Sequence, residues 1–181
     1  ATAEEESPMA GAKALVAAGR PRADYALIGE PTGLRPVRAH KGVMMEQITV
    51  HGRAGHSSDP ALGINAIEAM QRVVTELLDW RDRLQRRHRD DEFRIPVPTL
   101  NLGHVHGGDS PNRICPECRL GFDLRTLPGM DQDALRDQLR QLAQRAVEGT
   151  GATAELSTLT PATSPLCTDA ASPIVAAAQQ F

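Results

Sequence analysis

Between residues 40 and 160 the apolar side chains switch between the two spacings that a chain can bury. Strands alternate with a period of about 2 residues and helices with one of about 3.6. From residue 43 to 51, Met44, Glu46, Ile48 and Val50 alternate with Met45, Gln47 and Thr49, as in a half-buried strand. Ser58-Asp59-Pro60 offers an oxygen cap followed by a first-turn proline. The helix predicted from there carries Ile64, Ile67, Met70, Val74, Leu77, Leu78 and Leu84. Strands are predicted over 99–106 and 114–125, the second with Leu120, Phe122 and Leu124 opposed to Arg119, Gly121 and Asp123. A second helix spans 131–147 (Leu135, Leu139, Leu142, Ala146) and stops at Gly149, and 153–158 can form a last strand. The order β-α-β-β-α-β predicts an α+β, ferredoxin-like domain: an antiparallel four-stranded sheet with both helices on one face.

The flanks do not continue this pattern. Residues 9–18 read as a short Ala-rich helix stopped by Gly19, and 24–29 as a short buried strand. Residues 31–38 have turn and hinge chemistry. The chain begins without Met at Ala1 and ends at Phe181 within an apolar helical pattern, so it reads as a segment of a longer protein. The expected division is 1–38 and 161–181 as parts of one α/β domain and 39–160 as the ferredoxin-like domain.

A net charge of -3 and 3% aromatic residues argue against a nucleic-acid or anionic-membrane partner. The strand positions Ile48, Leu100 and Leu120 are aliphatic, where an RNA-binding sheet would carry aromatics. No apolar run approaches the roughly 18 residues of a membrane span. Three cysteines suit a reducing, cytoplasmic setting better than a disulfide framework.

Several residues offer chemistry. Glu4-Glu5-Glu6 precedes the first helix, where it is either a favourable charge cluster or a metal-bound carboxylate beside a general base. Glu30 leaves an apolar run into Pro31-Thr32, at the strand end where open sheets bind ligands. His56 stands between Gly55 and Ser57-Ser58, either as a loop histidine or as a functional one, and His40 beside Lys41-Gly42 reads as an exposed residue. Cys115 and Cys118 are half of a zinc-ribbon pattern; with no second pair, they read as strand residues turned to opposite faces. His104 and His106 share a strand face but lack a third ligand. Asn112 lies in a loop and Arg125 near a strand end, where a turn residue and a solvated cation are the ordinary readings.

Taken together and in order, these stretches resemble the acetylornithine deacetylases, dinuclear zinc amidohydrolases. The resemblance is carried by Thr2-Ala3-Glu4-Glu5-Glu6-Ser7-Pro8-Met9, by Gly29-Glu30-Pro31-Thr32 with Ala39-His40-Lys41-Gly42, and by Gly55-His56-Ser57-Ser58-Asp59-Pro60. It continues through His106-Gly107-Gly108, Asn112-Arg113-Ile114 and Asp123-Leu124-Arg125-Thr126-Leu127-Pro128-Gly129. It implies that Glu5 is the general base, that Glu6 and Glu30 are metal ligands, and that His56 polarises the scissile carbonyl in a partner's site. Asn112 and Arg125 would hold the substrate, a small N-acyl amino acid. Residues 39–160 would be the lid through which a homodimer forms, and 1–38 and 161–181 would belong to the catalytic domain. The implied cofactor is a pair of zinc ions, or cobalt in their place. The family's His-x-Asp motif, bridging Asp and final His ligand are not among these 181 residues, so no bound metal is expected on them alone. Relatives acting on succinyl-diaminopimelate or acetyl-citrulline share the same motifs.

Overall fold

The computed structural model describes residues 10–20 and 22–180, as two compact units: residues 41–165, and residues up to His40 together with Leu166 onward. In chain order the elements are α1 (Ala10–Ala17), β1 (Ala39–His40), β2 (Gly42–His51), β3 (Gly55–His56), a single 3-10 turn (Pro60–Leu62) and α2 (Ala66–Arg87). Then follow β4 (Thr99–Gly107), β5 (Arg113–Ile114), β6 (Glu117–Thr126), α3 (Gln132–Ala146), β7 (Thr153–Thr163), β8 (Leu166–Cys167) and α4 (Pro173–Ala178).

In the larger unit β4, β6, β2 and β7 form one sheet in that order, every pair antiparallel. Both helices pack on one face, which is the predicted ferredoxin-like arrangement. The strand alternation accounts for it. Met44, Ile48 and Val50 of β2 and Cys118, Leu120, Phe122 and Leu124 of β6 all turn into one buried cluster. The helices meet it with Met70, Val73, Leu77, Trp80 and Leu84 of α2 and with Leu135, Leu139 and Leu142 of α3. Trp80 also donates from Nε1 to Gln138 Oε1 at 3.1 Å, tying the two helices together. α3 starts where Asp131 accepts from the amides of Asp133 and Ala134.

Among the described residues the core holds Thr49, Thr126 and one charged side chain, Glu46. Glu46, with no exposed surface, accepts from Arg136 Nε at 3.0 Å and from Thr158 Oγ1 at 2.9 Å. A charge can occupy the core only when it is paired and hydrogen-bonded in this way.

The larger unit departs from two sequence expectations. The helix does not start at Ser58-Asp59-Pro60. Those residues lead into the 3-10 turn, Gly63 is extended, and Ile64 bridges back to Arg53; α2 begins at Ala66, capped by Asn65 Oδ1 on the Ile67 amide at 3.0 Å. Cys115 and Cys118 do not face opposite ways. The strand proper begins at Glu117, so Cys115 lies in the turn before it, and both thiols enter the same core.

In the smaller unit β1 and β8 pair through Ala39↔Cys167 and His40↔Leu166, and Arg38 Nη1 donates to the Thr168 carbonyl at 2.8 Å. α1 ends as expected, with Gly19 at φ +65° accepting the left-handed turn. Residues 24–29 form no strand. Leu27 and Ile28 are exposed, and no described strand pairs with the segment. An apolar run becomes a strand only where a neighbouring edge takes up its backbone groups. Glu30 therefore follows an irregular stretch, with its carbonyl accepting from Thr32 N at 2.7 Å.

Candidate functional site

Two loop segments leave the same end of the four-stranded sheet, where His51 of β2 faces Glu117 of β6. Residues 52–65 carry His56 and residues 108–116 carry Asn112. Beyond the sheet these loops are stitched by the short β3–β5 ladder, Gly55↔Ile114 and His56↔Arg113. Ser57 N donates to the Asn112 carbonyl at 3.1 Å, and Gly52 N donates to the Pro116 carbonyl at 2.8 Å. The structure thus brings together His56 and Asn112, more than fifty residues apart in sequence.

The local geometry at each is defined. The His56 carbonyl accepts from Asp59 N at 3.1 Å, closing a turn, while the imidazole Nδ1 lies 2.7 Å from Ser58 Oγ and 3.2 Å from Ser58 N. Asn112 Oδ1 accepts from Ser110 Oγ at 2.6 Å, which leaves its amide N–H groups as donors. In the same loop Arg113 Nη1 pairs with Asp109 at 2.6 Å.

Arg125 stands elsewhere. It lies near the opposite end of β6, paired with Val43 and Thr99, on the sheet face not covered by helices. Asp123, two residues away on the same face, accepts from Arg125 Nε at 2.7 Å through Oδ2. That fixes the guanidinium while both Nη groups remain for an anion. Asp123 Oδ1 is buried without a partner among the described residues. From Glu117 to Arg125 the strand covers roughly 26 Å at about 3.3 Å per residue. His56 and Arg125 of one chain therefore do not converge on one small molecule.

The remaining predicted residues are dispersed. Glu5 and Glu6, with Glu4, lie outside the described residues. Glu30 and His40 are exposed in the smaller unit. The rings of His104 and His106 lie side by side on β4, tilted by 39° with centroids 5.0 Å apart. Among the described residues no cluster of three or more His, Cys, Asp or Glu side chains could hold a metal ion. Zinc needs three or four ligands, and Glu30 is the one member of the implied set that is described, so these residues do not assemble a zinc centre. The chemistry they do assemble is that of an imidazole and a carboxamide at one sheet end and a guanidinium at the other.

Sequence reasoning overlooked Ser58, Ser110 and Asp123, the partners of His56, Asn112 and Arg125. Each sits two residues from the group it holds. That spacing puts residues on one face of a strand and was legible for Asp123 and Arg125; in the turns it depends on backbone geometry. No helix among the described residues is long and apolar enough to cross a membrane.

Residues 38–150 match the family described as the peptidase dimerisation domain. The chain is 52% identical over 141 residues to an acetylornithine deacetylase of Edwardsiella ictaluri, an alignment covering 78% of this chain and 37% of that protein. It is 51% identical over 149 residues to the acetylornithine deacetylase of Vibrio cholerae, covering 80% of this chain and 39% of the relative. The chain thus spans well under half the length of these curated relatives. Among solved structures, a tripeptidase from Staphylococcus aureus superposes with a TM-score of 0.73 at 22% identity, over 99% of this chain and 45% of the other. The aminopeptidase PepT of Bacillus cereus gives the same TM-score, identity and coverage. At such identities the likeness is one of fold.

Proposed function

The chain belongs to the peptidase dimerisation domain family, and from that premise we propose that its full-length protein is a metal-dependent amidohydrolase. It removes the acyl group from a small N-acyl amino acid, acetylornithine before succinyl-diaminopimelate or acetyl-citrulline, in cytoplasmic arginine biosynthesis. The observation that carries this reading is the identity of 51–52% to acetylornithine deacetylases over some four-fifths of the chain. In this reading residues 39–160 are the lid and dimerisation domain, 1–38 and 161–181 are parts of the catalytic domain, and 31–38 is the hinge. Glu5 is the general base. Glu6 and Glu30 are metal ligands, for zinc or cobalt, with the rest of the ligand set elsewhere in the protein.

The separation of His56 from Arg125 supports a homodimeric site. A small N-acyl amino acid cannot span roughly 26 Å, so Arg125 holds the substrate of its own protomer. His56 and Asn112 reach into the site of the partner, where an imidazole N–H stabilises charge on the acyl oxygen. The free edge of β4 supports a pairing surface, because Val105 on that strand is 59% exposed and Ile67 at the start of α2 is 47% exposed. By themselves, the 181 residues are a lid and dimerisation module rather than a working enzyme.

Mixing full-length protomers tests the arrangement. Glu5→Ala and His56→Ala homodimers should both be inactive, the former with its metal content unchanged. Subunit exchange should restore activity, since a mixed dimer contains one site with both groups. No recovery after exchange has been demonstrated would refute the trans assignment. Failure of the wild-type protein to release acetate from acetylornithine would refute the substrate.

A further inference from the structure

The turn that carries His56 specifies more than its position. The main-chain N–H of Ser58 can only donate, and it points at His56 Nδ1 from 3.2 Å. The nitrogen at the far end of that contact must therefore present its lone pair. The Ser58 hydroxyl lies closer still, at 2.7 Å from the same atom, and its rotor is free to donate in the same direction. Two donors from one residue converge on Nδ1, so the neutral ring carries its proton on Nε2. The main chain that carries the ring is held as well. The His56 carbonyl is engaged by Asp59 N at 3.1 Å and the following residue, Ser57, is held by the Asn112 carbonyl at 3.1 Å.

We propose that Ser58 is a positioning residue that holds His56 as the Nε2–H tautomer and aims that N–H outward as a donor for an acyl carbonyl oxygen. The opposite tautomer would present a lone pair to the same oxygen and repel it. An exposed histidine in water has no such fixed choice, so the contact removes a reorganisation step at the moment of reaction. This inference rests on the proposed role of His56 for its catalytic consequence, but not for the tautomer itself.

A nitrogen-15 imidazole spectrum of the 181-residue chain decides the tautomer without reference to activity. The chain has six histidines, so a His56→Gln variant identifies the signal. The expected pattern at a pH where the ring is neutral is a protonated Nε2 and a bare Nδ1. A proton found on Nδ1 overturns the proposal. In the Ser58→Ala variant the main-chain donor remains and the hydroxyl is lost, so the spectrum should move toward a mixture of tautomers. In the full-length enzyme that change should lower kcat roughly three- to tenfold, the worth of one hydrogen bond, with KM nearly unchanged. Ser58→Thr should restore both readouts. Ser58→Ala with wild-type tautomer and wild-type kcat would overturn the role of the Ser58 hydroxyl and leave the tautomer to the main-chain donor alone. If the full-length protein hydrolyses no N-acyl amino acid, the functional reading fails while the spectrum still decides the tautomer.

Discussion

Truncating Arg136 to methionine tests the charged contact that holds Glu46 inside the core. Glu46 has no exposed surface, and its two carboxylate oxygens are divided between Arg136 Nε at 3.0 Å and Thr158 Oγ1 at 2.9 Å. The Arg136 side chain is 21% exposed and also reaches Asp133, which is 93% exposed and adds little. Arg136→Met keeps most of the apolar stem while leaving the carboxylate with one neutral donor. Breaking a buried pair in this way costs about 3–5 kcal/mol, because a charge stays behind without compensation. With a urea slope of about 2 kcal/mol per molar, the unfolding midpoint should fall by about 1.5–2.5 M. Urea titration of the 181-residue chain, followed by far-ultraviolet circular dichroism, measures this. Arg140→Met is the control, since the Arg140–Asp137 pair is 45% and 67% exposed and should lose less than about 1 kcal/mol. The double change Glu46→Met with Arg136→Met should recover most of the loss, as apolar replacements of whole buried pairs often do. A single variant that costs less than about 1 kcal/mol, or a double variant no better than the single, would refute the reasoning.

Four further outcomes follow from the same structure. A Cβ on Gly52 would lie 2.1 Å from the Ile64 carbonyl oxygen, so Gly52→Ala must break the Arg53–Ile64 bridge; a loss of about 1–3 kcal/mol in the same titration is expected, with full-length turnover falling as the His56 loop shifts. Cys167 is exposed while Cys115 and Cys118 are buried, so a thiol reagent should modify Cys167 in the native chain and reach the other two only on unfolding. Burial, and then the neighbouring Cys115, push the Cys118 thiol above its ordinary 9.0; because the folded value is the raised one, its contribution to stability is complete below that pH and is lost as pH rises through the folded value, which alkaline melts would detect. On the proposed pairing through the β4 edge, Val105→Lys with Ile67→Glu should shift the chain from dimer to monomer in light scattering, and an unchanged mass would exclude that edge as the pairing surface.

What the sequence reveals and what it hides separate by the range of the interaction. The β-α-β-β-α-β order was legible because each element buries its own periodic face; β2 and β6 alternate across most of their length as their residues alternate. Where a segment's state depends on a distant partner, the local pattern misled. Residues 24–29 have strand composition but no described strand beside them, and Ser58-Asp59-Pro60 has cap chemistry although the helix waits for Asn65, because Ile64 is first claimed by Arg53. The same distinction governs the site. His56, Asn112 and Arg125 could be singled out by their motifs, but no motif says that two of them leave one end of a sheet and the third stands near the other end. That fact lies in the register of β6 against β2, with Glu117 at His51 and Arg125 at Val43. Register is fixed by which face of each strand must be buried, since a one-residue slip would carry Leu120, Phe122 and Leu124 to the polar side. The core therefore sets the distance between the two halves of the proposed site, and that distance is what motivates the proposed contribution of a second subunit.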